Sequence, residues 1–153
     1  MEQNTIKIEY IKNREIDEIC QLANTVFSEF GHSNAGSYIK GITQWDISVK
    51  LTVDGITAGF YLFKPGNLSG IILNNKKGIQ GVALGVLKEF RGKGYGRMLI
   101  DKSYELFSNK YDYIWGMHLS VLNNIDHWKK RRTIMNENEK TSLYYSYTFF
   151  RNE

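Results

Sequence analysis

Gly85-Val86-Leu87-Lys88-Glu89-Phe90-Arg91-Gly92-Lys93-Gly94-Tyr95-Gly96-Arg97 reads as the end of a strand, a turn carrying three alternating glycines, and the first turn of a helix. Gly92, Gly94 and Gly96 leave their backbone amides uncovered by side chains. At a helix N-terminus such amides lack intrahelical acceptors and lie at the positive end of the macrodipole. Together these features make an anion site suited to a phosphate or pyrophosphate. Arg91, Lys93 and Arg97 add positive charge around it.

The spacing separates three phosphate-binding motifs. A dinucleotide fingerprint needs G-x-G-x-x-G, but the third residue after Gly94 is Arg97. Its acidic ribose partner about 20 residues further on finds only Asp112 as a loose match. A nucleotide P-loop needs G-x-x-x-x-G-K-[ST], and the chain has no such run. What remains is R-x-x-G-x-G, as Arg91, Gly94 and Gly96, after an apolar strand and before an amphipathic helix. This resembles the acyl-CoA pyrophosphate motif of the GCN5-related N-acetyltransferase (GNAT) superfamily. Leu84-Gly85-Val86 looks like the strand beside the pantetheine arm in that family, and Arg97-Met98-Leu99-Ile100 continues the helix. The plainer alternative is a glycine-rich connector that binds nothing.

At 153 residues the chain is expected to form one domain, residues 1–153, large enough to bury a core without staples. Its 42% hydrophobic and 24% charged residues are ordinary for a globular protein. No apolar run reaches the length of a membrane span. Met1-Glu2-Gln3-Asn4-Thr5 carries no basic region followed by an apolar stretch, so no signal peptide is expected. Cys20 is the single cysteine, which excludes an internal disulfide and makes a reducing cytoplasm the simplest setting. Cys20 is expected to be a small core residue of a helix rather than a reactive thiol. The net charge of +4 suits a polyanionic cofactor; nucleic acid is compatible with it but not required.

Periodicity outlines the elements. Thr5 to Ile11 alternates as a half-buried strand, and Arg14 to Phe30 has apolar residues at helical spacing, stopped by Gly31. Asn34 to Ile42 forms a shorter helix. Ile47 to Val53, Asp54-Gly55 and Ile56 to Phe63 make a hairpin, because Asp-Gly suits a tight primed turn. Lys64-Pro65-Gly66-Asn67 ends it, and Ile71 to Leu73 is a candidate short strand. Ile79 to Leu87 is the central strand, Tyr95 to Phe107 a helix, Tyr113 to Leu122 a strand, Asn124 to Arg132 a short helix and Thr141 to Phe150 an aromatic strand. The polar stretch Ile134 to Lys140 is expected to hold only a short strand or a loop. This order matches the GNAT order over essentially the whole chain. The resemblance therefore implies a mixed α/β fold: a central, mostly antiparallel mixed sheet with a splayed parallel strand pair, flanked by about four helices.

The resemblance also implies chemistry. Splayed strands leave backbone groups of Leu84, Gly85 and Val86 free to pair with pantetheine amides as an added strand would. Arg91, Gly92, Lys93, Gly94, Tyr95, Gly96 and Arg97 would hold the pyrophosphate, and Asn123 would contact the cofactor arm. An N–H near Val86 would stabilise the thioester oxyanion as an amine attacks. Acetyl-CoA would be the donor and CoA the product, transferred in a ternary complex without a covalent enzyme intermediate; no metal enters this reading. Many members carry a carboxylate on the fifth strand five residues before the asparagine; here that offset from Asn123 falls on His118, whose imidazole suits a base at neutral pH. Glu89 is a weaker candidate, and Glu29, His32 and Asp46 are unranked candidates for the acceptor site, with Gly36-Ser37-Tyr38 and Gln44-Trp45-Asp46.

The family's usual tyrosine acid, seven residues after the asparagine, is absent: Asn123 leads to Lys130 and Asn124 to Arg131, while Trp128 stands two positions earlier than Lys130. The thiolate would leave unassisted or take a proton from Tyr144, Tyr145 or Tyr147, residues that strand packing equally explains. Lys129-Lys130-Arg131-Arg132 either complements a helix C-terminus or contacts the CoA 3′-phosphate or a polyanionic acceptor. Three functions follow. The first is an N-acetyltransferase for a small-molecule or protein amine. The second is a catalytically impaired CoA-binding module, and the third an acyltransferase directed at nucleic acid or aminoacyl-tRNA. A homodimer through the aromatic last strand is also compatible with the sequence, and no membrane partner is expected.

Overall fold

Asp54 and Gly55 both take positive φ, 51° and 82°, the backbone of the primed turn that joins twisted antiparallel strands. They connect β2 (Val49–Val53) to β3 (Ile56–Pro65) in an antiparallel pair with Val53 opposite Ile56. Asp54 also ties in the first strand: its carboxylate accepts the Thr5 N–H at 2.8 Å, and its own N–H donates to the Thr5 carbonyl at 2.8 Å. β1 (Ile6–Tyr10) then runs antiparallel to β2, from Ile6 opposite Val53 to Tyr10 opposite Val49. The computed structural model describes residues 3–29, 31–68, 75–119, 133–138 and 143–150. These fall into two units, residues 1–64 with 82–105 and residues 65–81 with 106–153.

In the first unit, α1 (Ile16–Ser28) buries Ile19, Cys20, Ala23 and Val26, a stripe one and then two helical turns long. They pack with Ile11, Ile39, Phe60 and Leu62. Burial pushes the Cys20 thiol above its ordinary range, as for a small core residue. α2 (Ala35–Ile42) approaches α1 through Gly36: a Cβ placed there would lie 2.3 Å from the Cys20 carbonyl oxygen. The Gly36 N–H meanwhile donates to Asn24 Oδ1 at 2.7 Å. Gly36→Ala must therefore push two helices apart, and is expected to lower stability by about 1–3 kcal/mol. Urea denaturation checks this; an unchanged midpoint would show that the helices separate freely.

A 3-10 turn, Asn13–Glu15, leads into α1. Glu15 accepts from the Lys50 ammonium on β2 and, at 2.9 Å, from the Lys12 N–H. The Lys50 hydrogen bond is the largest cause holding the Glu15 carboxyl below the usual glutamate range, followed by the Lys12 N–H. A carboxyl with a lowered folded pKa stabilises fully above its unfolded value and loses that contribution as pH falls through the folded value. Glu15→Gln should thus destabilise at pH 7, and the gap from wild type should close below the ordinary glutamate value of 4.5. Thermal melts across that range measure the gap; one that did not narrow in acid would remove the ion pair as its cause.

β4 (Gly78–Val86) has residues 82–86 in the first unit and 78–81 in the second. In the second unit, β4 runs parallel to β5 (Tyr113–Leu119), with Gly78 opposite Tyr113 and Gly81 opposite Gly116. Gly78 makes room for Tyr113, since a Cβ there would lie 2.5 Å from the phenol ring. The Tyr113 hydroxyl accepts the Leu68 N–H at 3.0 Å, and its ring meets Tyr147 and Phe149 edge-on at 6.2 and 6.0 Å. β7 (Leu143–Phe149) pairs antiparallel with β5 and with β6 (Thr133–Asn138). The ladder order is β1-β2-β3-β4-β5-β7-β6.

This is the expected mixed sheet with a parallel pair. β6 forms a strand of six residues in the polar stretch where the sequence favoured a short strand or a loop. It ends the strand order, and an edge strand needs backbone pairing on one side only, which polar residues supply as well as apolar ones. α3 (Tyr95–Phe107) has the expected bounds. Three α-helices lie among the described residues. The expected fourth helix, Asn124 to Arg132, and the expected strand Ile71 to Leu73 lie outside them. No helix among the described residues is long and apolar enough to cross a membrane.

Candidate functional site

The site is built on the C-terminal half of β4. Leu87 donates its N–H to the Ala58 carbonyl on β3 at 2.8 Å. Strand alternation then turns the backbone groups of Gly85 toward β3 and those of Leu84 and Val86 away from it. Gly85 thus contributes by packing rather than by free backbone groups. A Cβ there would lie 2.7 Å from Phe60 Cζ and 3.0 Å from Val26 Cγ1, while Gly59 faces the Gly85 carbonyl as closely. The parallel register of β4 closes at Gly81, so Leu84 and Val86 lie beyond it, with their N–H and C=O groups outside the β3 ladder. The Val86 carbonyl accepts from Arg91 Nε at 2.9 Å.

A 3-10 turn, Lys88–Phe90, reverses the chain, with Phe90 N–H on the Leu87 carbonyl at 2.9 Å and Arg91 N–H on that of Lys88 at 3.2 Å. Gly92 and Gly94 follow at φ 79° and 85°. A Cβ at either would meet nothing within 4 Å, so glycine is required there by backbone conformation and not by space. The first hydrogen bond of α3 runs from Met98 N–H to the Gly94 carbonyl at 3.0 Å. The amides of Tyr95, Gly96 and Arg97 precede it and have no acceptor within the helix. Tyr95, Leu99 and Ile100 are buried and anchor the helix, whereas Gly92, Lys93, Gly94 and Arg97 are exposed. Tyr95 can therefore serve a ligand only through its amide. Lys93 Nζ stands 5.9 Å from the Phe90 ring centroid. The result is a helix N-terminus behind an exposed glycine turn, with the cationic side chains of Lys93 and Arg97 beside it, an arrangement suited to an anion such as a diphosphate.

The remaining candidates divide. Glu29, at the end of α1, accepts from Arg91 Nη1 at 2.9 Å; this pairing across 62 positions was not legible in the sequence. His32, Tyr38, Asp46 and Glu89 are exposed, and Trp45 donates its indole N–H to the Lys40 carbonyl at 3.2 Å. In the second unit, His118 lies on β5 at the register position opposite Tyr144, and Tyr147 packs on Tyr113 and Phe149. Asn123, Trp128 and Lys129 to Arg132 lie outside the described residues. Among the described residues no three His, Cys, Asp or Glu are grouped to hold a metal ion. An open polar concavity of about 410 Å³ lies over β1 and β2, lined by Lys7, Glu9, Lys50 and Thr52 among others; none of its lining residues belongs to the glycine turn.

No protein-family model and no curated protein matches the sequence. Solved structures match its fold. PH1933 from Pyrococcus horikoshii OT3 shares 20% identity over 97% of this chain and 100% of its own, with a TM-score of 0.76. Arylalkylamine N-acetyltransferase 2 from Aedes aegypti shares 14% identity over 97% of this chain and 100% of its own, at 0.73. PaiA N-acetyltransferase from Thermoplasma acidophilum, solved in complex with coenzyme A, shares 10% identity over 95% of this chain and 99% of its own, at 0.66. The chain has the GNAT fold.

Proposed function

We propose that this GNAT-fold chain is an acyl-CoA-dependent N-acyltransferase that moves an acetyl group from acetyl-CoA to a primary amine by direct attack. The observation that carries this reading is the run of amides from Gly94 to Arg97, which have no acceptor within α3, held on a strand whose Leu84 and Val86 backbone groups face away from β3. Acetyl-CoA presents the matching chemistry: a diphosphate for the cradle, an amide-bearing arm for the strand and a thioester beyond it.

In this reading the amides of Gly92 to Arg97, with Lys93 and Arg97, hold the diphosphate. Leu84 pairs with the arm as a neighbouring strand would. The Val86 N–H donates to the thioester oxygen and stabilises negative charge as the amine nitrogen attacks. The C–N bond forms, the C–S bond breaks and the thiolate departs. His118 accepts the proton lost by the amine, and the thiolate takes one from water or a tyrosine. Holding donor and acceptor together supplies much of the acceleration. The fold neighbours that carry N-acetyltransferase names or bound coenzyme A support the same donor.

Calorimetric titration with acetyl-CoA and CoA tests the cradle, and thiol release across a panel of primary amines tests turnover. Micromolar binding with amine-dependent release is expected. Binding without release from any amine would favour a CoA-binding module, for which the missing tyrosine seven residues after Asn123 speaks. No binding to either nucleotide would overturn the reading and leave the glycine turn as scaffold, with nucleic acid the next ligand to try.

A further inference from the structure

Arg91 opens the R-x-x-G-x-G motif, yet its guanidinium is already committed. Nε donates to the Val86 carbonyl at 2.9 Å and Nη1 to Glu29 Oε2 at 2.9 Å. One planar group thus spans two elements, the end of β4 and the end of α1, as a fork of fixed donors is suited to do. Glu29 is in the wrong place for its own helix. It caps the C-terminus of α1, whose last turn has no basic residue, and the macrodipole disfavours a carboxylate there. Gly31, at φ 85°, closes that helix, with Gly31 N–H on the Ser28 carbonyl and His32 N–H on that of Phe27 at 3.1 and 3.0 Å, so Glu29 sits on a defined helix end. The carboxylate is accounted for by Arg91.

We propose that Arg91 is a positioning residue, held by Glu29, that fixes the glycine turn against the end of β4 rather than binding the anion itself. This assignment rests on the acyl-CoA reading for its ligand but on the ion pair alone for its geometry. It predicts a sign that a phosphate-binding arginine would not give. Were Arg91 a phosphate ligand, removing the Glu29 charge would free it, and the affinity for acetyl-CoA would hold or rise. As a clamp, losing either partner loosens the turn.

The test uses the full chain with Glu29→Gln, Arg91→Gln, their double variant and Arg91→Lys. With half-exposed partners, at 37% and 35%, acetyl-CoA affinity should fall about threefold to tenfold in Glu29→Gln and somewhat more in Arg91→Gln. The double variant should bind like Arg91→Gln alone. Arg91→Lys keeps the charge but cannot reach both acceptors, so it should bind no better than Arg91→Gln. A ligand-free readout runs beside this: amide exchange at Phe90 and Arg91, whose N–H groups close the turn, should quicken by a similar factor in Glu29→Gln. Undiminished affinity in Glu29→Gln, rescue by lysine, or unchanged exchange at both amides would each overturn the clamp. Should wild type bind no acetyl-CoA, the acyl-CoA reading falls while the exchange result still decides the clamp.

Discussion

Gly94→Glu is expected to weaken acetyl-CoA binding by two orders of magnitude or more while the protein stays folded. Two costs add. Gly94 sits at φ 85°, where any other residue is strained by roughly 1–2 kcal/mol. The new carboxylate would then stand beside the diphosphate among amides that favour negative charge, a repulsion of about 1 kcal/mol in water and about 4 kcal/mol at the effective dielectric of a protein surface. The fold should tolerate the change, because a Cβ at this position meets nothing within 4 Å and the residue is exposed. Gly94→Ala separates the terms: it carries the strain without the charge, and its affinity should fall no more than about thirtyfold. Calorimetry with acetyl-CoA and a thermal melt of each variant make the measurement. Gly94→Glu binding within threefold of wild type would place the diphosphate elsewhere.

The glycine turn was legible because its chemistry is local. Alternating glycines, a preceding apolar strand and a following amphipathic stripe lie within a few residues of each other, and α3 begins and ends where the periodicity put it. The Asp54-Gly55 hairpin was legible for the same reason: two adjacent residues that tolerate positive φ are enough to specify a primed turn. Ends were less visible. Ile47 was placed on the second strand but belongs to a 3-10 turn, Trp45–Ile47, and β3 runs on to Pro65, since Pro65, at the last strand position, need not break the ladder.

What the sequence hid is what depends on meetings between distant residues. Gly36, Gly59, Gly78 and Gly85 look like ordinary flexible positions in one dimension. In the fold each is where a carbonyl or an aromatic ring arrives closer than any Cβ allows. The commitment of Arg91 was hidden in the same way. A positive residue beside a glycine turn reads as free for a ligand, and only the fold brings Glu29, 62 positions away, onto its guanidinium. One local signal did point to it: an acid at a helix C-terminus without a base in its own last turn. The way the Leu84 and Val86 peptides turn against that of Gly85 likewise follows from one hydrogen bond, from Leu87 to Ala58.

His118→Ala is expected to lower kcat for amine acetylation by two to four orders of magnitude, the usual worth of a positioned general base, with the acetyl-CoA Kd changed less than threefold. His118 stands on β5, one position before Leu119 at the end of the described strand, while the proposed diphosphate cradle is built from β4 and α3. A base acts on the acceptor amine, so its loss should appear in turnover rather than in donor affinity. An amine that attacks the thioester must lose a proton, and His118 is the proposed acceptor. His118→Gln, which keeps a hydrogen-bonding side chain without a basic nitrogen, should match alanine rather than wild type. A variant whose kcat falls little would hand the proton to water or to the amine's own solution equilibrium. Catalysis would then rest on the Val86 amide and on proximity alone.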